Sequence, residues 1–514
     1  MSSRNQNEIS SEEMAIQDVN SEYLGIPRYL LMENAGSQVA NFCSNLQTKK
    51  NASIAVFCGT GGNGGDGFVA SRHLHPNYKV EVIIIGDEEK IKSKPALKNF
   101  KALKKLHSIK ITKINDSEDI KTLDLSKYDL IIDGLLGTGL KSNTIRQPVK
   151  GLIQAINSRS NTTTPVVAID VPSGLNKDGS LALDSIKATH TVALHQAKTG
   201  TIENGGEVVI RPIGIPPESV LYTGPGLFTL YTQRAVQSHK GQNGKILIIG
   251  GSNTYHGSLV LAGKAAFSIN IDLVFMITPE KIASVVRSHD YRFIVKTYSQ
   301  DYLTPQVIEE LVKPMLLEVD SILIGPGLGH EEETLLAVKT LLKEIPDDKT
   351  LIIDADALKA CKGEILPKNT ILTPHAGEFT ILTGKKFTGK ESLYEKRQII
   401  RKATEKYKEP ITWVVKGPVD IIKQETKEIL NFTGTPAMTT GGTGDILAGL
   451  VTAMQSQVNN SFYASAMATF IIGKAGEFAE KEEFTLEKLL VKIPIVMKEI
   501  RKFIDEDENQ KLTD

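Results

Sequence analysis

At 514 residues the chain exceeds one ordinary core; at about 150 residues per domain it allows roughly three, or two large α/β units. Its 40% hydrophobic and 23% charged residues are those of a globular chain, and 60 Lys and Arg against 60 Asp and Glu leave no net charge. That argues against general electrostatic binding of a nucleic-acid polymer, though not against a local basic patch. Cys43, Cys58 and Cys361 have no CxxC spacing, so they read as buried small hydrophobes in a reducing compartment, without a disulfide framework or a thiolate zinc site. The start, MSSRNQNEISSEEM, lacks a basic n-region and an apolar h-region. No apolar run approaches the roughly 18 residues of a membrane span, and a cytoplasmic protein with no membrane partner is expected.

In chain order, residues 1–10 are polar and expected to fray. Short β-branched runs follow at 53–57, 79–86, 128–137, 165–174 and 188–194, with helix-like stretches between them at 66–74 and 148–157. That alternation predicts a parallel sheet with helices on both faces. The lysine-rich stretch 88–113 reads as a solvated helix face. A second α/β series has strands at 245–252, 273–278, 321–329, 350–358, 412–417 and 420–424. Between the two series, GEVVIRPIGIPPESVLYTGPG (206–226) holds four prolines and four glycines and no helical period. This places a domain junction near Leu221. The expected division is 1–221 and 222–507, with 508–514 as a disordered tail.

The strand at 53–57 runs into CGTGGNGGDGFVASRHL, and a helix is expected to begin near Asp66. Glycines there would let backbone N–H groups approach an anion ahead of a helix N-terminus. No GK[ST] follows and the GxGxxG spacing is absent. Two further loops sit at strand ends, one with Asp133 and Gly137-Thr138-Gly139, the other with Asp170 and Ser173. Each Asp could cap a helix. Together the three loops mark the C-terminal edge of a parallel sheet, where ligands bind. Their Asn, Asp and Ser oxygens are hard ligands suited to an alkali or alkaline-earth cation.

The blocks LMENAG (31–36), GTGGNGGDGFVASRHL (59–74), DGLLGTGL (133–140), DVPSGL (170–175) and IGIPPE (213–218) resemble the NAD(P)HX epimerase domain, a Rossmann-like three-layer αβα fold. The resemblance covers about residues 10–220. It implies interconversion of the R and S forms of hydrated NADH and NADPH. It implies K+ on Asn63, Asp133 and Ser173, and substrate on Gly62, Asn63, Gly64, Gly65, Asp66, Gly137, Thr138, Gly139, Leu140 and Asp170. Epimerisation at C6 calls for general acid and base help, and Asp170 is the expected proton-handling carboxylate. The family usually has Asn where this chain has Gly62, which keeps open a binding module that has lost turnover.

In the second series, PAMTTGGTGDILAGL (436–450) sets Gly441, Gly442 and Gly444 ahead of a helix expected to start near Asp445. Its N–H groups and dipole make an anion hole, and Asp445 is placed to accept a proton from a substrate hydroxyl. Lys416 ends a strand, His375 and Glu378 follow another, and DADAL (354–358) offers two carboxylates for water-mediated Mg2+ or for capping. These motifs, with HKGQNGKILIIGGSNTYHGS (239–258) and GPGLG (325–329), resemble the ADP-dependent NAD(P)H-hydrate dehydratase of the ribokinase-like superfamily. The resemblance implies ADP against Lys416, Gly417, Pro418, Val419, Asp420, Thr435, Thr440, Gly441, Gly442, Thr443 and Gly444. It implies the S-hydrate (S-NADHX or S-NADPHX) against Ser258, Gly327, His375 and Asp445, with Asp445 as general base. Homo-oligomers are common in such families. A ribokinase-like small-molecule kinase with an accessory domain is the other reading.

Overall fold

The computed structural model describes residues 8–139, 144–159, 163–231, 234, 237–407 and 409–509. Leu140 lies outside them, as does the expected tail from 510 onward. The chain divides into two compact units, residues 1–219 with 503–514, and residues 220–502. The described residues of the two stretches expected to be frayed have regular structure or cap it. Glu8–Ile9 is a strand paired with Ala197–Lys198, held by the Glu8 carboxylate accepting from Gly200 N and Ile202 N. Ser10 then caps the helix Ser11–Tyr23 in a capping box. At the other end the helix Leu486–Asn509 includes the first two residues of the expected tail.

Among the described residues the first unit has a seven-stranded sheet. Its order is Lys110–Ile114, Lys79–Ile85, Ser53–Cys58, Leu130–Gly134, Val166–Ile169, His190–Leu194 and Glu207–Arg211. Every pairing is parallel. Central strands buried on both faces require the continuous Val and Ile runs seen in the sequence. The chain winds outward from Ser53–Cys58 in one direction, then returns to Leu130–Gly134 and continues in the other. The crevice between those two strand ends is the switch point where such sheets take ligands. The two edge strands come from stretches read otherwise. Lys110–Ile114 lies in the lysine-rich segment, and Glu207–Arg211 lies in the presumed junction. Both are only partly buried, so neither carries a core strand's pattern.

The helix after Ser53–Cys58 begins at Gly62, four residues before the expected start, and runs to Leu74 with Gly61 as its N-cap. Most of the glycines read as an anion-binding loop are therefore packing devices. A Cβ on Gly64 would run into the carbonyl of Gly59, with its carbon at 2.8 Å; one on Gly67 would sit 2.7 Å from Cys58 Sγ. Gly65 packs under Met32 and Ala96. The helix thus lies closer to the sheet and to its neighbour Arg28–Leu46 than side chains would permit.

The second unit has a nine-stranded sheet among its described residues, ordered Ile294–Tyr298, Leu273–Pro279, Lys245–Ile249, Ser321–Ile324, Thr350–Ile353, Ile371–Leu372, Thr412–Val415, Asp420–Gln424 and Lys427–Asn431. It is parallel up to Thr412–Val415, and the last two strands form an antiparallel hairpin. Trp413, the chain's one tryptophan, is fully buried against Phe379 and Tyr407. Among the described residues no helix is long and apolar enough to cross a membrane.

Gly64→Ala should destabilise the first unit by about 1–3 kcal/mol, because backbone has to move. Gly62→Ala should be neutral, since nothing lies within 4 Å of a Cβ there. Denaturant midpoints followed by circular dichroism compare the two, and equal midpoints would refute the packing role of Gly64.

Candidate functional sites

In the first unit, three loops at the switch point are tied together by side chains from one another. Asp133 ends its strand fully buried. Its Oδ1 accepts from Ser173 Oγ at 2.6 Å and Leu135 N at 3.2 Å, and its Oδ2 from Ser173 N at 2.8 Å. Burial still pushes this carboxyl up to about 6, and the groups that oppose the rise are neutral donors. Ser173 Oγ also accepts from Leu136 N at 2.8 Å. Asn63 donates through Nδ2 to Leu136 O at 3.0 Å and Ile169 O at 2.8 Å. Its Oδ1 lies 3.0 Å from where a Cβ of residue 137 would be, so Gly137 leaves that oxygen room.

Asp170 follows its strand in the left-handed region, at φ 63°. A non-glycine residue holds that conformation only where its surroundings impose it. Here the backbone N donates to Val192 O at 2.9 Å. The carboxylate Oδ1 accepts from Leu194 N at 3.0 Å and pairs with Lys198, whose Nζ also donates to Leu194 O at 2.7 Å. Lys198 is buried and had no place in the sequence reading. Its signal was a lone lysine directly after an apolar strand, in HTVALHQAK. Asp66, also buried, is held well above the usual carboxylate range by desolvation and by the charge of Asp170, with Lys198 opposing. Gly62, Asn63, Asp66, Thr138, Asp170 and Lys198 all border one cleft of about 500 Å³. Gly64 and Gly65 are turned into the packing instead, and Gly139 has open space around it. Open space also surrounds Gly62, so packing does not demand the loss of the family's asparagine there.

In the second unit, Gly442 adopts φ 100° and caps the helix Thr443–Val458, which starts two residues before the expected Asp445. A Cβ on Gly442 would meet Leu261 and Leu486 at 2.7 Å, whereas Gly441 faces open space. The hydroxyls of Thr440 and Thr443 bond within this turn, to Ala437 O and Thr440 O. Asp445 sits in the helix's first turn. Burial pushes its carboxyl up to about 6; Asp354 and Asp356 add to this, while a hydrogen bond with Ser258 and the charge of Lys416 oppose it. Lys416 Nζ donates to Asp354 Oδ1 at 2.9 Å, and Asp354 also accepts from Thr373 Oγ1 at 2.7 Å. Burial works against the Lys416 ammonium, but Asp354, Glu378 and Asp445 more than reverse that. The same Nζ lies 3.5 Å from where a Cβ of residue 444 would be, so Lys416 abuts Gly444.

Beside this cluster, the DADAL carboxylates are already engaged. Asp354 holds Lys416, and Asp356 accepts from Gly329 N at 3.0 Å, bracing the loop after Ser321–Ile324. In that loop Gly327, at φ 68°, lies against the Tyr255 backbone. His375 caps the helix Ala376–Thr383, its Nδ1 accepting from Gly377 N at 2.9 Å and Glu378 N at 3.3 Å. Gly417, Pro418 and Val419 form the turn between two strands, closed by Gly417 N donating to Asp420 Oδ1 at 3.1 Å. Thr435 Oγ1 is buried with no partner among the described residues, an unmet hydroxyl available to a ligand.

The family model described as YjeF-related protein N-terminus matches residues 28–200, and the one described as NAD(P)H-hydrate dehydratase matches 246–495. A bifunctional NAD(P)H-hydrate repair enzyme of Pyrobaculum aerophilum is 37% identical over 505 residues, covering 95% of this chain and 98% of that one. The chain belongs to the family of bifunctional NAD(P)H-hydrate repair enzymes. Its Methanothermobacter thermautotrophicus counterpart is 36% identical, with 94% of each chain covered. Among solved structures, an ADP/ATP-dependent NAD(P)H-hydrate dehydratase from Bacillus subtilis, co-crystallised with ATP and Mg2+, is 26% identical, with a TM-score of 0.46, over 55% of this chain and 99% of that one.

In this repair enzyme Lys416→Met should cost the second unit about 3 kcal/mol, because Asp354 is left buried and uncompensated. Adding Asp354→Asn should recover part of the loss. A double-mutant cycle in denaturant measures this, and purely additive losses would rule out the pairing.

Proposed function

We propose that residues 1–221 interconvert R- and S-NAD(P)HX, and that residues 222–507 dehydrate S-NAD(P)HX to NAD(P)H with ADP, releasing AMP and phosphate. The observation that carries the second activity is Asp445 in the first turn of a helix preceded by Gly441 and Gly442, with Ser258 on its carboxyl and Lys416 beside it. The glycine-rich turn and helix dipole receive the transferring phosphate. Asp445 takes the proton of the C6 hydroxyl as that oxygen attacks the β-phosphorus and AMP departs. The C6 phosphate then leaves with its bonding electrons while the N1 lone pair forms a C6–N1 double bond. Loss of a C5 proton completes the dihydropyridine. Lys416, Thr435 and the turn at 417–420 are the proposed nucleotide contacts.

Two ions belong to this reading. K+ would be held by Asn63 Oδ1, Asp133 and Ser173 Oγ. The fit rests on a fully buried Asp133 carboxylate that only neutral donors compensate; K+ would supply the missing positive charge and brace the three loops. For Mg2+, no group of three or more His, Cys, Asp or Glu side chains able to hold a metal occurs among the described residues. That suits an ion which keeps its waters and binds mainly through phosphates, with Asp354 and Asp356 nearby. When bound it would neutralise phosphate charge.

With mixed R- and S-NADHX, ADP and Mg2+, the intact chain should restore all the nicotinamide absorbance, Asp170→Asn only the S fraction, and Asp445→Asn none. Because Asp445 acts as a base, dehydration should rise as pH increases through about 6. Accumulation of a phosphorylated product would establish a kinase instead. Separately, K+ should raise the unfolding temperature of the wild-type chain and not that of Asp133→Asn; equal responses would remove the K+ assignment.

A further inference from the structure

We infer that Asp66 and Asp170 divide the proton chemistry of the first cleft. Asp66 gives a proton to the departing C6 hydroxyl, and Asp170, positioned by Lys198, takes one from the water that adds to the opposite face. This deepens, and rests on, the reading of the first unit as an epimerase.

The two carboxyls reach the same cleft from different elements, Asp66 from the helix Gly62–Leu74 and Asp170 from the end of Val166–Ile169. Their surroundings are unequal. Asp170 Oδ1 accepts from Leu194 N at 3.0 Å and is ion-paired with Lys198, itself 3% exposed and anchored on Leu194 O at 2.7 Å. The left-handed backbone at Asp170 fixes its direction further. Asp66 is 8% exposed, and what acts on its carboxyl is desolvation and neighbouring charge, with no hydrogen bond beside them. The charged groups it senses are Asp170 and Asp18, which oppose its ionisation, and Lys198, which favours it; across the same helix its own charge acts on buried Cys58. Glu22, Arg28, Lys94 and Lys98 complete the charged border of the cleft. Two neighbouring carboxyls in such unequal surroundings, one tied to an ammonium and a backbone N–H and the other desolvated, suit opposite roles in one proton exchange.

The hemiaminal carbon of the hydrated ring suits such a pair. Asp66 protonates the C6 hydroxyl oxygen. The C6–O bond breaks with its electron pair going to oxygen, water leaves, and the N1 lone pair forms a C6–N1 double bond. A solvent water adds to the opposite face, its proton passes to Asp170, and N1 recovers its lone pair. The reverse epimerisation exchanges the two roles, so the pair serves both directions without another co-reactant.

The test follows epimerisation of purified S-NADHX by the full chain in oxygen-18 water, without ADP. Label should enter the C6 hydroxyl of the R product at the rate of epimerisation. The wild-type kcat should fall at high pH as Asp66 loses its proton. Asp66→Asn should abolish that limb and lower kcat by about 100-fold or more. Lys198→Met should lower kcat with little change in KM, and Lys198→Arg should restore part of it, which a purely structural lysine would not require. Dehydratase turnover and circular dichroism check that each variant folds, and the wild-type label and pH limb decide the matter if one does not. Epimerisation without label, or Asp66→Asn with unchanged kcat, overturns this inference alone. A chain that dehydrates S-NADHX yet never epimerises overturns the reading of the first unit and this inference with it.

Discussion

A carboxylate buried at the C-terminal end of a parallel strand needs donors, and both units are organised around how they supply them. In the first, Asp133 draws in the backbone and hydroxyl of Ser173 from the neighbouring strand's loop. In the second, Asp354 draws in Lys416 from two strands away, together with Thr373. Desolvation penalises both charges, so the groups that satisfy them cannot drift without leaving a buried anion exposed to its full cost. Asn63 and Asp445, in the first turns of their helices, and Asp170, just past its strand, stand beside these anchors. The result is a set of polar groups oriented before any ligand arrives, which is the physical content of preorganisation.

The two glycine-rich segments look alike in sequence and act differently. The glycines at 64, 65 and 67 let a helix settle onto a sheet and its neighbour, whereas Gly441 leaves a helix N-terminus uncovered. What separates them is where the helix starts. Gly61 caps early in the first case and buries the following glycines inside the first turns; Gly442 caps late in the second and leaves Gly441 outside. The second segment thus keeps the anion-accepting geometry that both suggested.

The central strands of both sheets were legible because a strand covered on both faces has to be a continuous β-branched run. The edge strands Lys110–Ile114 and Glu207–Arg211 were not, since half-exposed residues carry lysine and glutamate without penalty. Lys427–Asn431 was missed as the outer member of a hairpin, while the strand expected ahead of His375 proved only two residues long, Ile371–Leu372. At the sites, strand ends and loops marked Asn63, Asp133, Asp170 and Asp445. Lys198 escaped because a single lysine announces burial only through its partners. His375 was visible, but its Nδ1 is spent on a helix cap, a use that spacing cannot reveal.

The position of Trp413 has a spectroscopic consequence. A chain with one indole, sealed between Phe379 and Tyr407 within residues 220–502, carries a fluorophore that belongs to that unit alone. Excitation at the red edge of protein absorbance therefore isolates the opening of the second unit from that of the first. Loss of the first unit's order would pass silently in that signal, so the two halves can be ranked in stability without cutting the chain.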